Sequence, residues 1–183
     1  MSAARADAMR EATPGADVSL NNNGFAGLRA DLPAGPLTFG RLYDVFPFDN
    51  RVVQLTLTGR QLERVFAEEI KRSRPGALSV SGVRVQALCE GDDVHVRLVR
   101  SNGEPLAPDA PVSIVTTDML AAGAVFAPVA PPGGVVIPPT APIARVIVER
   151  WLRKRGGHVS EDQFLDAHGE PRWLYPPSMC QVH

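Results

Sequence analysis

The chain has 183 residues, 44% of them hydrophobic and 21% charged, with a formal net charge of −1. That length suits one domain with a real core. No basic stripe interleaved with aromatics suggests nucleic acid, no apolar run approaches the length of a bilayer span, and 17 Pro with 16 Gly argue for many ordered turns and against a helical bundle.

Ser2 to Ala12 is rich in strong helix formers, with Ala4, Ala8 and Met9 spaced to share a face, and Thr13-Pro14-Gly15 ends the helix. Residues 1–12 contain no apolar core of the kind a signal peptide needs. A brief alternation over residues 17–20 reads as a strand. It runs into Asn21-Asn22-Asn23-Gly24, which reads as a loop, because Asn side chains compete for backbone hydrogen bonds and Gly opens positive φ at little cost. The loop continues to Pro33 and carries Arg29, which must meet solvent or an anion.

Residues 33–36 form a Pro- and Gly-marked turn. Thr38 can cap a short helix that Pro47 stops. The stretch 45–50, Val-Phe-Pro-Phe-Asp-Asn, places Phe48 beside Asp49 and Asn50 just before a strand at 51–58. That strand aligns Val53, Leu55 and Leu57 on one face. Thr58-Gly-Arg-Gln61 is a capping box, and Leu62, Val65, Phe66 and Ile70 give the next helix an apolar stripe near period 3.6. Its Glu63, Glu68, Glu69 and Lys71 form a solvated face.

From Leu78 the period becomes two. Strands at 78–80, 83–88, 94–99 and 112–117 are expected to make an antiparallel meander whose exposed face carries Arg84, His95 and Arg97. Residues 118–123 suit a short helical turn, and a Pro- and Gly-rich connection follows to Pro139. Thr140 is expected to cap a helix with Pro142 in its first turn. Ile143, Ile147, Val148, Trp151 and Leu152 would face inward, with Arg153, Lys154 and Arg155 at the negative end. Gly156-Gly157 ends it, and the tail 157–183 has no periodicity. The expected class is α+β, a mixed or antiparallel sheet with packed helices in one domain over 1–183. Cys89 reads as a small buried hydrophobe, while Cys180 leaves an intrachain disulfide, an interchain disulfide and a free thiol all open.

The order of several short pieces now matters more than any one of them. Ala6-Asp7-Ala8-Met9-Arg10, Asp17-Val18, the run 23–40 from Asn23-Gly24 through Gly27-Leu28-Arg29 to Gly40, Phe46-Pro47-Phe48-Asp49-Asn50, Leu57-Thr58-Gly59-Arg60-Gln61-Leu62, Ser81-Gly82-Val83 and Thr117-Asp118-Met119-Leu120 follow one another. Together they resemble the C-terminal domain of 5'-nucleotidases, a family that includes periplasmic UDP-sugar hydrolase and the cell-surface AMP-hydrolysing ectonucleotidase.

The resemblance implies a division of labour. In such enzymes an N-terminal calcineurin-like domain holds two divalent metals and the catalytic His, and the C-terminal domain binds the nucleotide and rotates to deliver its phosphate. Arg29 matches the family's phosphate-contacting Arg. Phe48 matches the first of two aromatics that sandwich the base, Asn50 a polar residue beside it, Phe126 the second aromatic, and Asn23, displaced by one position, the family's loop Asn. Arg is a permanently charged planar fork suited to phosphate oxygens. An aromatic face holds a base by stacking worth about 1–3 kcal/mol, and Asn can both donate and accept.

The departures are equally specific. The family's Gly-Gly-Asp-Gly-aromatic motif is Ala122-Gly123-Ala124-Val125-Phe126 here, without its Asp, and a ribose-binding carboxylate falls among Pro131 and Pro132. An Arg that the family supplies from upstream of the first helix has no counterpart. The four His, at 95, 158, 168 and 183, occur in none of the family's metal-ligand motifs, so no cofactor is expected in this chain and the chain alone is expected to be inactive. The expected function is therefore nucleotide binding for a metallophosphoesterase domain supplied in cis or in trans. The alternative is a stand-alone ligand-binding, structural or partner-docking domain. The family's full-length members are usually periplasmic or extracellular.

Overall fold

A computed structural model of the chain describes residues 2–23, 29, 35–72, 78–90, 93–131, 134–156, 159–165, 169 and 171–174. Helix α1 (Ser2–Ala12) leads to β1 (Val18–Asn22), then α2 (Phe39–Val45), β2 (Val52–Thr58) and α3 (Gly59–Arg72). Strands β3 (Leu78–Ser81), β4 (Val83–Glu90), β5 (Asp93–Arg100) and β6 (Pro111–Thr117) follow. Helices α4 (Asp118–Ala121) and α5 (Ala144–Lys154) and a short β7 (Trp173–Leu174) complete the order. The sequence motifs at His158, His168 and Cys180 lie outside the described residues, as do positions 24–28 and 30–34 of the Asn-rich stretch.

The strands form two sheets, one ordered β2-β6-β1-β3 and the other β5-β4-β7. In the first, β1 runs parallel to β6 and antiparallel to β3, so the sheet is mixed. The expected meander is thereby corrected. Strands β4 and β5 do form an antiparallel hairpin, but β3 and β6 leave it to flank β1. The switch occurs at Gly82, whose φ of +94° and close approach to the Asp17 carbonyl, where a Cβ would sit 2.1 Å from the oxygen, admit no side chain.

Each face of the first sheet follows from strand alternation. One face presents Val18, Leu20, Leu57, Leu78, Val80, Val112 and Ile114. These pack with the α3 stripe Leu62, Val65 and Phe66, and with Val83, Val85 and Leu98 of the second sheet. The capping box that starts α3 is complete: the Gln61 side chain accepts from the Thr58 N–H at 2.8 Å, and the Thr58 hydroxyl accepts from the Gln61 N–H at 3.2 Å.

The opposite face is polar where β1 and β3 meet, with Ser19 opposite Ser81 and Asn21 opposite Ser79. Asn21 and Asn22 therefore belong to the strand, a second correction. Local competition loses because Asn21 bonds within the sheet face: its Nδ2 donates to Ser19 Oγ at 3.1 Å and its carbonyl accepts from Ser79 Oγ at 3.3 Å, which outweighs a buried Oδ1 that has no partner among the described residues.

Helix α1 lies against this face and is buried from Ala4 to Met9. Its small alanines allow close approach, and Ala4, Ala8 and Met9 share a second apolar cluster with Leu42, Phe46, Val115 and the α5 residues Ile147, Val148, Trp151 and Leu152. At its C-terminal end Glu11 accepts from Trp151 Nε1 at 2.8 Å and from Arg155 at 3.2 Å.

Helix α5 begins later than Thr140. Its N-cap is Ile143, with no side-chain cap. The preceding segment is held extended by the edge of the first sheet: Val52 N–H donates to the Pro142 carbonyl at 2.8 Å, and Ala144 N–H, an orphan donor of the first turn, donates to Asn50 O at 2.9 Å. Among the described residues, no helix is long and apolar enough to cross a membrane.

Candidate functional site

Strands β1 and β6 end on the same side of the sheet, where β2 begins. The segment 46–50 crosses there between α2 and β2. Thr38 caps α2 by accepting from the Arg41 N–H, and Phe46 closes it by donating to the Leu42 carbonyl. Pro47, which has no N–H to donate, then turns the chain so that Phe48 and Asn50 stand half-buried at the sheet's end.

Arg29 meets this segment from the other side. Its N–H donates to the Val45 carbonyl at 2.9 Å, and its guanidinium carbon lies 5.3 Å from the centre of the Phe48 ring. The side chain is exposed. A guanidinium at that distance lies in the range where the ring's quadrupole attracts it, and its fork still faces solvent.

Asn50 has one role in folding, since its carbonyl accepts from Ala144. Its Nδ2 is buried with no hydrogen-bond partner among the described residues. Asn23 follows the last residue of β1 and is half-buried. The structure thus brings Arg29 to Phe48, with Asn50 two residues further along the same segment.

It does not bring Phe126 there. That ring is 0% exposed, within the apolar cluster beneath α3, and Val125 beside it is buried too. Residues 123–129 turn back on themselves, with Phe126 N–H donating to Gly123 O and Val129 N–H to Phe126 O. In this sequence Ala124 and Val125 make the turn apolar, and the aromatic goes inward with Val125 while Ala124 stays exposed. A fully buried ring offers no face to a ligand.

Two cations that the sequence reading passed over hold the site from beneath. Arg145 of α5 is 8% exposed and donates through Nη1 to the carbonyls of Phe46 (3.4 Å) and Phe48 (3.2 Å). Its Nη2 pairs with Asp49 Oδ1 at 2.6 Å, and its guanidinium sits 4.6 Å over the Tyr43 ring. Arg5 of α1 is 1% exposed, donates to the Asn22 carbonyl and lies 5.0 Å over the Phe46 ring. Burial pushes its guanidinium down to about 10, so it remains charged at neutral pH.

The cue for both was positional. Arg145 stands three residues before Val148 and seven before Leu152, and Arg5 four before Met9, so each sits on an inward stripe where a charge requires a partner. The result is a segment flanked by Arg5, Arg29 and Arg145, with Asp49 the carboxylate bound to it. Its field favours an anion.

Among the described residues, no three His, Cys, Asp or Glu side chains converge as a metal site requires. What the arrangement can do is bind: an exposed guanidinium for an anionic group, a ring face beside it and an Asn amide along the same segment.

A model of the family described as 5'-nucleotidase, C-terminal domain, matches residues 3–130. The chain is 31% identical over 127 residues to the endonuclease YhcR of Bacillus subtilis (strain 168), covering 68% of this chain and 10% of that protein. It is 32% identical over 121 residues to the apyrase of Tabanus yao, covering 58% of this chain and 22% of that protein. Among solved structures, the 5'-nucleotidase precursor from Thermus thermophilus superposes with a TM-score of 0.75 at 24% identity, over 97% of this chain and 35% of that one. The chain thus spans no more than about a quarter of the curated relatives it matches.

Proposed function

The chain belongs to the family of 5'-nucleotidase C-terminal domains, and we propose that it is the substrate-binding domain of a 5'-nucleotidase-like phosphohydrolase. Arg29 receives the phosphate of a nucleotide or related phosphorylated small molecule, and Phe48 carries its base. The single observation that supports this reading most is the cation–ring pair itself, an exposed guanidinium 5.3 Å from a half-buried ring. Asn50, with a buried amide nitrogen that lacks a partner among the described residues, would donate to a sugar or base edge. Asn23 would border the same ligand.

In this reading the chemistry belongs elsewhere. A metallophosphoesterase domain, in cis or in trans, would supply two divalent metals that polarise the phosphoryl group and generate the attacking hydroxide. This domain's own residues bind the substrate, orient it and hold it by the ring.

Burial of Phe126 favours a second reading, a binding or partner-docking module without catalysis. A base held on one face only gains half of a sandwich.

Calorimetric titration separates the two. The chain is expected to bind AMP more tightly than adenosine, and Arg29→Ala to weaken AMP by about 10- to 100-fold, the loss of a charge-assisted hydrogen bond, while adenosine is scarcely affected. If neither ligand binds, or if Arg29→Ala changes AMP and adenosine equally, the nucleotide reading fails. Turnover of AMP by this chain alone, abolished by a chelator, would refute the assignment of catalysis to another domain.

A further inference from the structure

At the opposite end of the first sheet from Phe48, where β1 begins, a cavity of about 250 Å³ opens between α1, the Gly82 crossing, the end of β5 and the segment before β7. Among the described residues, Arg10, Arg100 and Arg172 line it against one carboxylate, Asp7, and Arg84, which has a partner of its own, borders it. We infer that this cavity is a second anion site, built for a small phosphoryl anion such as pyrophosphate, inorganic phosphate or a small phosphate ester.

The carboxylate is already occupied. Asp7 Oδ1 accepts from Ser81 Oγ at 2.5 Å and Oδ2 from Arg172 Nη2 at 2.8 Å. Arg10 Nε donates to the same Ser81 hydroxyl at 2.8 Å, and Arg172 Nη1 donates to the Val80 carbonyl at 2.8 Å. This network fixes two of the cations in place, so little ordering remains to be done when a ligand arrives. The Arg100 guanidinium has no hydrogen bond or ion pair among the described residues. Two nearby carboxylates are turned to other groups: Asp17 accepts from the Ser113 N–H at 2.8 Å and Glu104 from Asn102 Nδ2 at 2.9 Å.

Arg10, Arg100 and Arg172 around the one carboxylate among the described lining residues repel one another, which disfavours a metal cation. A multiply charged anion relieves that repulsion, and the planar fork of Arg matches phosphoryl oxygens in pairs. Among the described residues no aromatic ring lines the cavity, so they offer a base no stacking face, and its volume suits a phosphoryl group with a small substituent. This inference does not rest on the nucleotide reading of the Phe48 site.

The test is calorimetric titration of the whole chain with pyrophosphate and separately with inorganic phosphate, at an ionic strength held constant with chloride. To remove the phosphate contact proposed at the Phe48 site, the titrations are made in an Arg29→Ala background, where binding is expected to persist and to weaken at least about ten-fold when Arg100→Gln is added. Because Arg100 has no partner among the described residues, Arg100→Gln is expected to keep the wild-type Tm, and Arg100→Lys to recover part of the affinity. A larger enthalpy and affinity for pyrophosphate than for phosphate would mark an extended phosphoryl ligand, and the reverse a single phosphoryl group. Equal binding with and without Arg100→Gln in that background, or no binding by Arg29→Ala above the chloride background, would each overturn the inference.

Discussion

Replacing Arg145 by Ala is expected to cost about 2–4.5 kcal/mol of folding stability, and the figure can be assembled from the contacts it makes. The ion pair with Asp49 contributes least, because the Asp49 side chain is 69% exposed and such pairs are worth about 0–1 kcal/mol. The two bonds to the Phe46 and Phe48 carbonyls come from a charged, buried donor. At 3.4 and 3.2 Å they are long, so together they are assigned about 1.5–2.5 kcal/mol rather than twice the full charged value. The contact with the Tyr43 ring adds about 0.5–1 kcal/mol. Urea unfolding followed by tryptophan fluorescence suits the measurement, since Trp151 lies on the same helix. Arg145→Lys keeps the charge but not the fork and is expected to recover less than half of the loss. AMP affinity should fall in Arg145→Ala as well, because Phe48 loses the bond that holds its backbone. A change below about 0.5 kcal/mol, within the range of an ordinary surface substitution, would refute the view that Arg145 anchors the segment.

Thr58→Ala removes the hydroxyl half of the capping box and should lower stability by about 1 kcal/mol, read as a shift in the urea midpoint at unchanged m; no shift would mean that water caps the helix equally well. Burial raises the Glu63 carboxyl above its ordinary 4.5, against the opposing pull of Arg60 and a backbone hydrogen bond from Leu98. A raised folded value means that stability is greatest below the unfolded value and falls as pH rises through the folded one. Glu63→Gln should therefore flatten the stability profile just above pH 4.5 and raise stability at neutral pH. An unchanged profile would contradict the assignment.

Where the sequence carried a strong local period, the fold was legible from it. The α3 stripe, its capping box, the Thr38 cap and the inward face of α1 all stand where spacing alone put them. Three features were not legible, each because a distant partner decides it. Asn21 joins β1 because Ser19 and Ser79 bond its amide nitrogen and its carbonyl, and Asn22 because it pairs with Leu78 across the sheet and its carbonyl accepts from Arg5, which overrides the local preference of Asn for turns. The start of α5 is set by Val52 and Asn50, almost a hundred residues earlier in the chain. The strands around Gly82 look like one continuous meander until the chain's close approach to Asp17 sends them to different sheets. At the site, resemblance pointed to Arg29 and Phe48, and the structure brings them together. It also pointed to Phe126, whose surrounding apolar residues draw the ring into the core. Arg5 and Arg145 carried a cue that went unread, a charge on an inward stripe.

The burial of α1 bears on the order in which the fold can assemble during synthesis. Its eleven residues precede their partners in the chain: Glu11 must wait for Trp151, 140 positions later, and Asp7 for Arg172, 165 positions later. Closing such long loops costs entropy before any contact rewards it. The helix nearest the N-terminus is thus among the last elements to be locked, and until then its place against the polar face of the first sheet stays open to water. Folding of this chain is expected to be slow for its size, and to finish at its beginning.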